Sequence, residues 1–245
     1  MAAPVSITPA RRAKLARCVA TLDADMAPFT SGDSAAAGSA AGWTSEGSPA
    51  PGVVSHSIAV AGASLRKYRA VGVVKAPAAR VARLLWSPDL RLQWDLSYAG
   101  IDNLAASVVE PAAAGDGVLA GDEVVLQRMR VKAVLVVSQR DFVCMHLRRE
   151  LADGTIFAIG HSVPEEDGVF EPTPDYVRGA VLEGSGWHCK PVLGPNGEQW
   201  CEMTYVILID LKGWVPAFVV NGALAWTFEA YFRQVREAVT LPAFQ

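Results

Sequence analysis

The longest helical pattern in the chain lies near its carboxyl end, between Pro216 and Pro242. Pro216 suits the first turn of a helix, where its missing N–H has no partner to lose. About 24 residues follow, enough for roughly 36 Å of helix. The apolar residues that recur every three, four or seven positions, and so share one stripe, are Phe218, Ala225, Phe228, Phe232, Val235 and Val239. Glu229, Arg233 and Glu237 lie on the opposite, solvated side.

Such a wide aromatic stripe must be covered by another layer of the protein. A helix that follows many strands is expected to lie across a curved sheet. An ordinary packing helix would fit the same stripe, and periodicity does not distinguish it from a helix that covers a curved sheet.

The chain between the amino-terminal region and this helix has the pattern of successive strands. Residues 61–64 separate two β-branched runs and predict a hairpin, and Asp153-Gly154 predicts another. Two short helices are expected at Ala78–Trp86 and from Pro88 to Trp94. The predicted strands are Val53–Val60, Leu65–Lys75, Ile101–Val109, Val118–Met129, Arg140–Arg149, Thr155–Val163, Tyr176–Pro191 and Trp200–Asp210. This order predicts an α+β fold in which a curved antiparallel sheet and the last helix leave an apolar space between them.

Length and composition predict three segments. The chain has 245 residues, of which 51% are hydrophobic, so one core-forming domain with a flexible part is expected. We assign residues 1–30 to an amino-terminal helix centred on Pro9–Met26, and residues 31–52, rich in Gly, Ser, Ala and Pro, to a flexible linker or loop. Residues 53–245 form the main domain. The first helix is basic and could touch a membrane, but packing on the domain is the favoured interpretation.

Charge and cysteine usage exclude several function classes. A net charge of −3 gives no basic footprint for nucleic acid. The four cysteines are scattered, which argues against a zinc site or a disulfide framework and favours a reducing compartment. No secretory signal and no run long enough to span a bilayer is evident. We therefore expect a cytoplasmic protein without a metal.

Several short motifs occur in the order found in one known family. They are Tyr68-Arg69-Ala70-Val71-Gly72-Val73-Val74, Trp94-Asp95, Gln139-Arg140-Asp141-Phe142-Val143, Tyr176-Val177-Arg178, Gly186-Trp187 and Ile209-Asp210-Leu211-Lys212-Gly213-Trp214-Val215-Pro216. Together they resemble the START domain, the lipid-transfer domain related to steroidogenic acute regulatory protein. The resemblance covers roughly residues 53–239.

The resemblance implies a helix-grip fold, related to the Bet v 1-like group, whose sheet and last helix enclose a tunnel for one lipid. It implies lipid binding and transfer between membranes without catalysis or a cofactor. The expected partners are a sterol or phospholipid and, transiently, a membrane surface, and the protein is expected to be a monomer. The residues assigned to the tunnel are Gln127, Phe142, His146, Cys144, Met203, Tyr205, Phe218, Ala225, Phe228 and Phe232. Those assigned to its gate and membrane contact are Val134, Leu135, Val136, Trp214 and Val215. Structural polar roles fall to Trp94, Asp95, Arg140, Asp141 and Arg178, the last three as ion pairs.

At one pair of positions the sequence departs from the pattern of this family. Sterol-binding members place a buried acid opposite an arginine, and those positions fall on Gln127 and His146 here. An amide and a neutral imidazole are cheaper to bury than an ion pair and still donate and accept hydrogen bonds. They could hold a hydroxyl or an ester. Alternatively, they satisfy each other or the backbone.

Two other functions stay open on the sequence. Cys144 and His146 are two apart on one strand face, so a cysteine–histidine enzyme of cyclase or hydrolase type is the runner-up, although a buried thiol is usually inert. The third interpretation is a ligand-gated sensor that binds a protein partner.

Overall fold

The computed structural model describes residues 7–26, 42–62, 64–109, 117–134, 137–163, 173–215 and 217–244. In the last helix, the side chains of residues 217, 218 and 220–226 lie outside this description. No helix in the described part of the chain combines the length and the apolar character needed to cross a bilayer.

The elements follow the predicted order, with differences at their ends. The helices are α1 (Pro9–Met26), α2 (Ala78–Trp86), α3 (Pro88–Trp94) and α4 (Ala217–Ala238), and a 3₁₀ turn follows at Pro242–Phe244. The long strands are β1 (Thr44–Ala50), β2 (Val53–Ala59), β3 (Arg66–Val74), β4 (Tyr98–Val108), β5 (Glu123–Val131), β6 (Arg140–Glu150), β7 (Ile156–Ser162), β10 (Ser185–Leu193) and β11 (Gln199–Ile207). The short ones are β8 (Val177–Arg178), β9 (Ala180–Val181) and β12 (Ile209–Asp210). The predicted strand from Tyr176 is thus split into three pieces.

One large antiparallel sheet organises the molecule. Its strands lie in the order β1-β2-β3-β11-β10-β7-β6-β5-β4, and β8 joins β6 in parallel. β12 and β9 form a separate two-stranded sheet. Because β3 pairs with β11, the first strands and the last long strand are neighbours, which hairpin signals alone do not predict.

Helix α4 lies against this sheet by the predicted stripe. Phe228, Phe232, Val235 and Val239 are buried in one cluster with residues of β2, β3 and β11. Glu229, Arg233 and Glu237 are exposed, as their spacing predicts. A large antiparallel sheet gripping a carboxyl-terminal helix is the helix-grip fold, so the predicted fold class is confirmed.

Helix α1 covers the opposite face of the sheet, which we call the outer face. Leu15, Cys18 and Leu22 pack there against alternating residues of β5, β6 and β7, among them Leu126 and Leu147. The helix is therefore part of the domain's packing, as favoured from its sequence.

The prediction of a flexible linker over residues 31–52 is wrong in its second half. Residues 44–50 form the edge strand β1, which pairs with β2 through contacts such as Thr44 with Ser57. Most of its side chains are exposed, so backbone pairing defines this strand without an apolar pattern. Pro49 is tolerated because the strand is at an edge. Residues 31–41 lie outside the described part, and the three-segment division stays a prediction.

Candidate functional site

A cavity of about 250 Å³ lies between the inner face of the sheet and the helices α3 and α4. Its volume lies just below the usual range for small-molecule sites, about 300–1,000 Å³. Its lining is mainly apolar and aromatic and includes Tyr98, Met129, Phe142, Trp187, Tyr205 and Tyr231. Aromatic rings are rigid, and here they pack on each other: the rings of Tyr205 and Tyr231 stack with centroids 4.6 Å apart. The walls therefore consist largely of preformed surface.

The structure separates the predicted tunnel residues into two groups. Gln127, Phe142, His146 and Tyr205 line the cavity. The residues that are buried in the core beside it and do not line it are Cys144, Met203, Phe228 and Phe232. The side chains of Phe218 and Ala225 lie outside the described residues.

His146 is the cavity's most unusual polar group. Its ring lies over Gly160, where a Cβ would come within 2.4 Å of Nδ1. Nε2 is buried and has no hydrogen-bond partner among the described residues. Burial, together with the nearby charge of Arg91, lowers the pKa of His146 to about 3, so the imidazole is neutral at physiological pH.

Gln127 has a partner of its own. Its Nε2 donates to Oδ1 of Asn103 at 2.8 Å on the neighbouring strand. Of the alternatives open on the sequence, Gln127 is therefore satisfied by a third residue, whereas Nε2 of His146 has no partner in the described part of the chain. An unpaired buried acceptor or donor is costly, so a polar group of a ligand would gain from meeting it.

Arg91 of helix α3 is one of the cavity residues that sequence reasoning missed, together with Tyr98, Met129, Trp187 and Tyr231. Its Nε donates to Asp95 at 3.2 Å, its Nη1 to the carbonyl of Leu85 at 3.4 Å and its Nη2 to the hydroxyl of Tyr231 at 3.3 Å. The guanidinium carbon also lies 4.9 Å from the ring centre of Tyr98. Arg91 and Asp95 are four apart, which is a helical pairing signal, but the spacing does not indicate which way the pair faces.

These contacts stabilise a charged pair in an apolar setting. Burial disfavours the charge of Arg91, yet the tyrosine oxygens and Asp95 around it keep its pKa above the ordinary value. Burial raises the pKa of Tyr98 and Tyr231, so both phenols stay protonated. This end of the cavity thus holds a cation, its counter-ion and phenol groups that can donate hydrogen bonds.

The edge of the cavity lies at the segment before β6 and the turn before α4. Val134 lines the cavity and pairs with Val137, while Leu135 and Val136 lie outside the described residues. Trp214 is 95% exposed, and Val215 is partly buried against the core. The left-handed backbone of Lys212 and Gly213 (φ 51° and 70°) directs the turn outward.

Arg140 holds that turn in place. Its Nε donates to the carbonyl of Leu211 at 2.6 Å, and its Nη2 donates to the carbonyl of Lys212 at 3.3 Å. The prediction that Arg140 belongs to an ion pair is wrong, because the contacts of its guanidinium in the described residues are oxygens of the backbone and of Ser138. Backbone carbonyls cannot be foreseen as partners from side-chain types.

The other residues assigned structural polar roles are Asp141, Arg178, Trp94 and Asp95. Arg178 pairs with the fully buried Asp141 through bonds of 2.9 and 3.0 Å, and this holds the pKa of Asp141 below its usual value despite burial. Trp94 donates from Nε1 to the carbonyl of Leu84 at 3.3 Å. Asp95 accepts from the backbone N–H of Ser97 at 3.2 Å, beside the end of α3.

The groups available for chemistry are weakly reactive. Burial raises the pKa of Cys144 to about 12, and its Sγ lies 3.5 Å from the hydroxyl of Ser162. Such a thiol is a poor nucleophile at neutral pH. Among the described residues, no cluster of His, Cys, Asp or Glu has an arrangement that could hold a metal ion.

The START domain family matches residues 34–241, so the chain belongs to the START domain family. Membership supports lipid binding or transfer in general. The match begins before residue 53, in agreement with the extra strand β1.

Individual relatives agree with this assignment. Protein ENHANCED DISEASE RESISTANCE 2-like from Arabidopsis thaliana is 31% identical over 159 residues, 62% of this chain and 20% of the relative. StAR-related lipid transfer protein 5 from Bos taurus is 31% identical over 105 residues, 42% of this chain and 46% of the relative. The matches therefore span well under two thirds of either relative.

Solved structures show the same fold. Human StAR-related lipid transfer protein 5 superposes with a TM-score of 0.70 at 19% identity, covering 95% of this chain and 98% of its own. A StAR-related lipid transfer protein from Xanthomonas axonopodis gives 0.62 at 20% identity, with 82% and 99% covered.

Proposed function

We propose that this protein binds one lipid molecule, a sterol or a phospholipid, in the cavity and carries it between membranes. The observation on which this depends is the cavity itself: apolar aromatic walls with a few polar groups at defined places. Transfer of apolar surface from water into such a space is favourable.

The polar groups suggest how the lipid lies. Arg91 and the hydroxyls of Tyr98 and Tyr231 offer donors for the oxygens of a head group, because each remains protonated. Nε2 of the neutral His146 offers one further hydrogen-bonding position. In this proposal, the head group meets these residues and the hydrocarbon part lies along the aromatic walls.

The exposed turn supports a transient membrane contact. Tryptophan is favoured at membrane–water interfaces, and Trp214 is almost fully exposed two residues from Lys212. We propose that Val134, Leu135, Val136, Trp214 and Val215 form the gate through which the lipid passes. The protein is proposed to act as a monomer in the cytoplasm.

Lipid capture by the purified protein tests this function directly. The protein is incubated with liposomes that contain cholesterol and mixed phospholipids, re-isolated, and examined by native mass spectrometry with lipid identification. We expect one lipid per folded chain, and none after heat denaturation. If the folded protein takes up no lipid in a broad screen, the carrier function fails.

The proposal includes the absence of catalysis, and Cys144→Ser tests it. Because burial keeps the thiol protonated, the substitution should change lipid transfer by less than about twofold, measured with a fluorescent lipid between two vesicle populations. Complete loss of activity with normal folding would instead favour chemistry at the thiol. A sensor that binds a protein partner would retain lipid yet transfer none.

A further inference from the structure

A second cleft lies on the other side of the short strands β9 and β12. Its volume is about 960 Å³, and it is bounded by α1, the ends of β2 and β7, and the segment 178–183. Apolar side chains such as Ile58, Val163 and Leu182 form much of its wall. The charged residues at the cleft are Lys14, Asp25, Lys67, Arg178, Glu183 and Lys212.

Four of these six residues are cations. Lys67 pairs with Asp25 at 2.8 Å, and Arg178 is engaged with Asp141. Lys14 differs, since its ammonium donates to a neutral acceptor, the carbonyl of Ser162, at 3.3 Å. An ammonium has three donors, so this bond leaves capacity for an anion.

Lys212 supplies a second accessible ammonium at the cleft. Its side chain is 57% exposed, and its contacts include an ion pair with Asp210 at 2.7 Å, a surface pair of the kind that contributes little stability. Exchange of such a partner for another anion is therefore inexpensive. The cleft thus presents cationic groups above apolar walls.

The cleft opens at the same end of the sheet as the edge of the lipid cavity. Ile58 pairs with Lys67 at the start of β3, and Ser162 pairs with Cys144 near the start of β6. Tyr98 pairs with Val131 at that end too, and both line the cavity. The turn from Leu211 to Trp214 separates the two openings, because Leu211 lines the cavity and Lys212 lines the cleft.

We propose that this cleft is a docking site for an anionic phospholipid of the membrane, distinct from the lipid carried in the cavity. Lys14 and Lys212 bind the phosphate, the apolar walls receive the glycerol and upper acyl region, and Trp214 enters the interface beside them. The apolar walls favour an amphiphile over a free inorganic anion. The net charge of −3 means that attraction to an anionic surface must come from such a local site. This inference rests on the proposed function, because it assumes that the protein faces the membrane with the side on which the cavity opens.

Vesicle co-sedimentation tests the docking site. The 245-residue chain is mixed with phosphatidylcholine vesicles, alone or with one fifth phosphatidylglycerol. A cationic residue at an anionic surface changes partitioning about fivefold. The variant Lys14→Gln/Lys212→Gln should therefore bind anionic vesicles about tenfold to thirtyfold more weakly than the wild-type protein. Its binding to neutral vesicles should not change. High salt should weaken the binding of the wild-type protein to anionic vesicles.

The matched control is Lys75→Gln/Lys190→Gln. It removes the same charge, but Lys75 follows the far end of β3 and Lys190 pairs with Glu202 on β11, away from the cleft. An equal loss in both double variants would overturn the site, because only net charge would then matter. Equal binding of the wild-type protein to neutral and anionic vesicles would overturn the docking site as well. A third contrary result would be that Lys14 and Lys212 bind millimolar inorganic phosphate while anionic vesicles do not bind to them.

Lipid loading from cyclodextrin, without any membrane, separates this inference from the carrier function. If Lys14→Gln/Lys212→Gln loads normally but does not dock, both proposals are supported. If the wild-type protein docks through the two lysines but never loads a lipid, the carrier function fails and the docking site stands. If it loads but the two lysines make no difference to docking, the docking site fails alone.

Discussion

On the outer face of the sheet, helix α1 closes the packing with interlocking aliphatic side chains, whereas on the inner face helix α4 leaves a cavity. The outer cluster contains Leu15, Leu126, Met145, Leu147 and Ile159, all nearly or fully buried. The inner face instead combines large aromatic rings with the small residues Ala158 and Gly160 in the cavity wall. Flexible aliphatic chains fill gaps, while rigid rings beside small residues leave space. The two faces should therefore respond differently to substitution.

The largest effect is expected on the outer face. Leu147→Ala removes a fully buried side chain and should destabilise the protein by about 3 kcal/mol, through lost burial and a new void. Urea unfolding monitored by circular dichroism measures it. The amount of lipid bound per folded molecule should not change. A parallel fall in lipid occupancy would show that the two faces are coupled.

On the inner face, Gly160→Ala should disturb the cavity itself. The new Cβ would lie 2.4 Å from Nδ1 of His146, so the ring must turn into the cavity. Overpacking of this kind costs about 2 kcal/mol, and bound lipid should decrease. The double variant Gly160→Ala/His146→Ala restores the space and should recover lipid uptake. Simple addition of the two single effects would contradict this explanation.

A third effect concerns acid stability. In the folded protein His146 has a pKa of about 3, while in the unfolded chain it titrates near its ordinary 6.5. Between pH 6.5 and pH 3, His146 is protonated in the unfolded state but not in the native state. The free energy of unfolding therefore falls as the pH drops towards 3.

His146→Gln should remove this dependence, about 2 kcal/mol at pH 5 relative to pH 7.5. The comparison uses unfolding free energies at both pH values. His161, on the outer face with a pKa of about 4 lowered mainly by burial, offers a matched variant with a similar effect on stability but none on lipid binding. An unaltered pH profile in His146→Gln would refute the assignment.

The smallest change in stability is expected for Trp214→Ala, within about 0.5 kcal/mol, because the side chain is exposed. Transfer between vesicles should nevertheless slow severalfold, while equilibrium lipid binding is kept. The control is Leu193→Ala. Leu193 is 77% exposed at the end of β10, in the hairpin that joins β10 to β11, and its substitution should leave transfer unaltered. Equal losses in rate and in equilibrium binding for Trp214→Ala would place this residue against the bound lipid and remove it from the gate.

Patterns local in the sequence were sufficient for much of the fold. The stripe on α4 identified its buried face, and the two-residue spacing of Cys144 and His146 predicted that their side chains share one face of β6. These predictions succeeded because helical and strand periodicity directly decide which side chains share a face. The family resemblance added the order of the elements and the fold class.

Contacts between distant segments decided the rest. β1 has almost no apolar pattern and exists because the backbone of β2 offers it hydrogen bonds. The direction in which Arg91 points depends on how α3 packs against Tyr231, 140 residues later in the chain. The sequence by itself determined which faces are apolar. Only the tertiary structure decided which apolar face packs closely against its helix and which leaves a cavity there, because that depends on how rigid side chains from separate elements fit together in space.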